Sequence, residues 1–124
     1  MEWKIVEKNG VQAALAQGEG PLLSDVQNAL DLIAAASYEA GVSRIAFCKE
    51  QVHLDFFRLG TGLAGDVLQK FTNYGVKAAF YGDFDALCEK SEPFRAFVKE
   101  SNAGNSVFFV KSENEAMERL LTAR

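Results

Sequence analysis

Three short apolar runs limit what this chain can fold into: Arg44–Cys48, Val76–Gly82 and Ser106–Val110. Each is of strand length, and stretches of helical period separate them. Strands alternating with helices call for a mostly parallel sheet with helical crossovers. Trp3–Lys8 and Val11–Ala16 flank Asn9-Gly10, a pair suited to a type I′ hairpin turn, which needs positive φ at both positions. The expected order is therefore ββαβαβαβα, a mixed and mostly parallel sheet with an N-terminal antiparallel hairpin strand and about four helices.

The helices are legible from their ends. Ser24, with Gln27 three positions on, has capping-box spacing for the first. Val26, Leu30, Ile33 and Ser37, with Ala29 and Ala34, form its stripe, and Gly41 ends it. Thr61 leads the second, with Leu63, Val67 and Phe71 in line and Gly75 closing it. Phe84–Lys90 is ambiguous, with a helical turn as one reading. Ser91 caps the next helix, with Pro93 in its first turn. Ser112 and Glu115 begin the last. Between the strand ending at Cys48 and Gly60 runs a long connection of mixed composition. No repeat or linker divides the 124 residues, so residues 1–124 are expected to form one domain.

Composition narrows the function classes. The net charge is −4, which disfavours a broad nucleic-acid interface. No apolar run reaches the roughly 18 residues of a membrane helix. Glu2, Lys4, Glu7 and Lys8 do not suit a signal peptide, so a cytoplasmic setting is expected. Cys48 and Cys88 read as reduced thiols, and with His53 as the single histidine no His/Cys zinc site can be assembled. No cofactor is expected.

Ligands of open α/β sheets gather at the carboxyl ends of parallel strands. Those ends carry Lys49 and Glu50, then Gly82, Asp83 and Asp85, then Lys111 and Ser112. Gly60-Thr61-Gly62 opens the second helix on the same side. With Lys49 and Lys111 it offers an anion or nucleotide site, since a helix N-terminus presents N–H groups and partial positive charge. The plainer reading makes Thr61 an N-cap. Asp83 and Asp85 suit a hard cation or, more simply, a turn. His53 has the pKa of a general base but no recognisable nucleophile beside it, and Cys48 reads as core. An enzyme would need His53, Asp83 and Glu50 to converge. Of Phe56 and Phe57, one ring is expected to anchor the loop and the other to stand exposed toward a partner. The alternative buries both.

The element order resembles the STAS domain, known from anti-sigma-factor antagonists and sulfate-transporter tails. Gly60-Thr61-Gly62-Leu63-Ala64 lies where the antagonists carry an Asp-Ser-Ser-Gly-Leu-Gly-like turn. Val107–Val110 followed by Ser112-Glu113-Asn114-Glu115-Ala116 is similar to their closing strand and Ser-x-x-Glu-Ala helix start. A second resemblance is closer. Phe56-Phe57-x-Leu59-x-Thr61-Gly62-Leu63-Ala64-Gly65, Leu68-Gln69-Lys70-Phe71-x-Asn73-Tyr74, Gly82-Asp83-Phe84 and Glu100-Ser101-Asn102 look like an uncharacterised bacterial domain-of-unknown-function family over the C-terminal two-thirds. The STAS likeness implies a regulatory, protein-binding module. In the antagonists a kinase phosphorylates the first serine of the turn. Gly60 stands at that position and cannot accept phosphate, while Thr61 stands next to it. The expected function is a non-enzymatic interaction module that engages a protein partner through the second helix, Asp66 included, and the Lys49–Gly60 connection. A small-anion or nucleotide sensor is the alternative. The hairpin leaves an edge strand through which a homodimer can form.

Overall fold

The computed structural model describes residues 1–124. Strands β1 (Glu2–Lys8) and β2 (Val11–Gln17) form the expected hairpin. Asn9 and Gly10 have φ of 54° and 80°, as a type I′ turn requires. Then follow α1 (Val26–Ala35), β3 (Arg44–Cys48), α2 (Leu63–Asn73), β4 (Lys77–Tyr81), α3 (Asp85–Lys90), α4 (Glu92–Ala103), β5 (Val107–Val110) and α5 (Glu113–Thr122). The expected layout holds, and about four helices come to five because the ambiguous stretch before Ser91 is a short helix of its own. No helix is long and apolar enough to cross a membrane.

The sheet runs β1-β2-β3-β4-β5, antiparallel between the first two strands and parallel thereafter. Each crossover joins neighbouring strands, so α1, α2 and α4 cover one face. Ala29, Leu32 and Ile33 of α1, Ala64, Val67, Leu68 and Phe71 of α2, and Phe94 of α4 pack there on Ala14, Ile45, Phe47, Phe80 and Phe109. Phe47, Phe80 and Phe109 sit side by side in register and stack at centroid separations of 5.8 and 5.2 Å. The other face belongs to α5. Ala116, Met117, Leu120 and Leu121 lie across Ala13, Leu15, Ala46, Ala79 and Phe108, where the strand alanines leave room for a helix. The side-chain alternation of each strand thus separates two cores.

The first helix departs from expectation by one residue. Asp25, not Ser24, is the N-cap, accepting from the Asn28 N–H, while the Asn28 side chain accepts from the Ser24 N–H. Ala34 is exposed and Leu32 and Ala36 are buried instead. The last turn, Ala36–Ala40, widens to a π-turn before Gly41 ends it with φ of 65°.

Candidate functional site

The segment after β3 is not an open loop. Three short 3-10 turns occupy it: Lys49–Gln51, Leu54–Phe57 and Leu59–Thr61. Gln51, one of the first turn, is 5% exposed and holds the segment down. Its amide NH2 donates to the carbonyls of Ala16 and Gly18 at 2.9 and 3.0 Å, and its oxygen accepts from the Cys48 N–H at 2.9 Å. The Gln51 carbonyl also accepts from the N–H groups of Leu22 and Leu23. One side chain therefore ties the ends of β2 and β3 together.

Phe56 and Phe57 are both buried, so of the two readings the one with an exposed ring facing a partner falls and the one that buries both holds. Adjacent side chains of a 3-10 turn diverge by about 120°, and the core supplies separate aromatic neighbours for each. Phe56 packs on Phe80 at 5.0 Å, and Phe57 on Phe84 and Phe94 at 5.7 and 6.1 Å. The residue left at the surface is Leu54, 65% exposed. It borders a shallow cavity of about 500 Å³ with Pro21, Lys49, Glu50, Val52 and His53. His53 caps the second turn, its Nδ1 accepting from the Asp55 N–H at 3.0 Å, and so serves as a local hydrogen-bonder.

Thr61 is not the N-cap of α2. That place falls to Gly62, left-handed with φ of 79°. The Thr61 hydroxyl turns back to the carbonyls of Asp55 and Arg58 at 2.8 and 2.9 Å. The N–H groups of Thr61, Gly62 and Leu63 are taken up by Arg58 O, Leu59 O and Thr61 Oγ1. Gly60, Thr61 and Gly62 are exposed, but no cavity joins them to Lys49 or Lys111. Asp66 is exposed in the first turn of α2, which packs against the Leu54–Phe57 turn.

The two lysines instead serve the ends of β4 and β5. The chain leaves β4 toward the face of α3 and α4 and leaves β5 toward the face of α5. These are the neighbouring parallel strands whose exits diverge, and a divergence of this kind opens a crevice. A cavity of about 220 Å³ lies there, lined by Gly82, Asp83, Asp85 and Lys111. The Asp83 carboxylate accepts from the Asp85 N–H at 3.0 Å, the turn-forming role, and Lys111 Nζ stands 3.8 Å from Asp85. Lys49 straps the β4 exit from the other side, donating to the Asp83 carbonyl at 2.8 Å with its Nζ 5.9 Å from the Phe84 ring centroid. Gly82 permits this: a Cβ there would lie 2.8 Å from Lys49 Cβ, and its φ is 149°.

Glu50 and His53 thus share one cavity, while Asp83 lines another. Cys48 and Cys88 are free and half-buried, and burial followed by the Asp85 charge pushes the Cys88 thiol up. Gln51 and Leu54 were not singled out by sequence. A glutamine in a polar run carries no mark of burial, and Leu54 is overshadowed by the aromatics after it.

The fold defines a mixed α/β domain with sequential strand order and helices on both faces, with two of its surface cavities at the strand exits. The chain belongs to the domain of unknown function family DUF4180, whose model matches residues 8–120. The match extends well beyond the C-terminal two-thirds that carried the resemblance in sequence. No curated protein and no solved structure matches the chain.

Proposed function

We propose that this chain is a non-enzymatic regulatory module, STAS-like in its working, that binds a protein through the platform between β3 and α2. The observation that carries the reading is Leu54, an exposed apolar side chain on a turn whose neighbouring rings are locked into the core. A platform held in place before a partner arrives spares the ordering cost of binding. Glu50, His53 and Arg58 are exposed around it and supply the polar rim that surrounds an apolar interface centre. Gly60 at the acceptor position of the resembling antagonists fits binding without phosphate transfer to that residue.

Binding is measured with a partner captured from the source cell and then purified. Leu54→Glu and Asp66→Lys are each expected to weaken it at least about tenfold while leaving the melting temperature in place. If both variants bind as tightly as the native chain, the platform is not the interface. A thermal-shift series with phosphate and nucleotides addresses the sensor reading. A true ligand at a hundred times its Kd adds about 2.7 kcal/mol of stability.

A further inference from the structure

The two edges of the sheet are finished differently. At β5 the Asn102 side chain covers the edge: its NH2 donates to the Phe109 carbonyl at 2.9 Å, and its oxygen accepts from the Phe109 N–H at 2.8 Å. At β1 no element pairs with the outer side of a seven-residue strand that lacks proline. Lysines on an edge usually discourage pairing. Here Lys4 and Lys8 are each paired with an acid of α5, Glu113 and Glu118, at 3.7 and 3.6 Å.

Which groups of β1 point outward follows from the hairpin. The turn's own hydrogen bond joins Lys8 to Val11, so Lys8, Val6, Lys4 and Glu2 direct their backbone groups to β2. Trp3, Ile5 and Glu7 direct theirs outward. We propose that β1 pairs antiparallel with β1 of a second copy of this chain, centred on Ile5 opposite Ile5, to form one continuous sheet across a two-fold axis.

The charge pattern selects this register. Pairing centred on Ile5 puts Glu2 opposite Lys8 in both directions and brings Trp3, Ile5 and Glu7 into hydrogen-bonded pairs with Glu7, Ile5 and Trp3 of the other copy. Sliding by two residues one way sets Lys4 against Lys4. Sliding the other way sets Lys4 against Lys8. Both alternatives oppose like charges and shorten the overlap. Ile5, 45% exposed, is at the axis and covers its mate. Because Asn102 closes the opposite edge, assembly stops at the isologous dimer. The interface is separate from the Leu54 platform, so the two readings stand or fall independently.

Sedimentation equilibrium from micromolar to millimolar protein, paired with hydrogen exchange, tests it. The expected result is a monomer–dimer equilibrium. The amides of Trp3, Ile5 and Glu7 gain protection with concentration, whereas those of Lys4, Val6 and Lys8 are protected throughout. Glu2→Lys should raise the dissociation constant about tenfold, and Glu2→Lys combined with Lys8→Glu should restore it. Ile5→Pro removes an outward N–H and should leave a monomer; if it fails to fold, the Glu2 variants at an exposed site carry the test. A chain that stays monomeric at millimolar concentration overturns the proposal. So does a dimer indifferent to Glu2→Lys, or exchange at Trp3, Ile5 and Glu7 that ignores concentration.

Discussion

Gln51 shows how much one buried amide can hold. Its three partners, the Ala16 and Gly18 carbonyls and the Cys48 N–H, lie at the ends of two neighbouring strands. Removing the side chain strands polar groups away from water, and each stranded group costs about 1–3 kcal/mol. Gln51→Ala is therefore expected to lower stability by about 3 kcal/mol. Urea unfolding should show this as a lower midpoint with an unchanged slope. At the same scale, the capping reading of Thr61 does not hold. Thr61 has the residue type of an N-cap, but the 3-10 turn before it delivers its hydroxyl to Asp55 and Arg58, and Gly62 takes the capping place. For Phe56 and Phe57 the sequence left two readings open, one ring exposed or both buried, and the choice between them depends on Phe80, Phe84 and Phe94 arriving from other elements. Asp83 and Asp85 did read correctly as a turn, because an Asx turn is a local event.

Elements were far more legible than residues. The Asn9-Gly10 hairpin, the proline in the first turn of α4 and the Ser112 cap of α5 each rest on local chemistry, and each stands where the sequence places it. The connection after β3 was not legible as three turns, since its order comes from Gln51 and the aromatic core rather than from propensity. At β5, the shortest strand, an element relies on a side chain from a neighbouring helix. Asn102 in α4 mimics a further strand by satisfying both backbone groups of Phe109. Asn102→Ala should destabilise the domain by about 2 kcal/mol. It should also bare the second edge, so light scattering should detect species larger than a dimer as concentration rises.

At the scale of the molecule, the layout was legible and the strand order was not. Alternation of strands and helices implies a parallel sheet, but several orders satisfy it. The observed sequential order needs the pairing of Ala14 with Ile45, Ile45 with Ala78 and Ala78 with Val107, which no local signal states. The stability of the whole should also carry a signature in alkali. Tyr81, at the end of β4, has its phenol pushed up to about 12, first by burial and then by the negative charges of Cys48, Glu113 and Glu50. A phenol raised in the folded state contributes stability below its unfolded value of 10.0 and loses it as pH rises toward 12. Stability measured by urea titration should fall across that window, and Tyr81→Phe should make the fall shallower.

The division of the sheet into a face roofed by the crossover helices and a face roofed by α5 has a consequence for synthesis. Every strand pairs with its neighbour in sequence, so the sheet can grow one strand at a time as the chain leaves the ribosome. Its first face is roofed along the way. The second, with Leu15 and Phe108 among its residues, has to wait for α5, which is made after all five strands. Until those residues emerge, the nascent chain carries a wet apolar stripe, and that interval is when it most needs a chaperone.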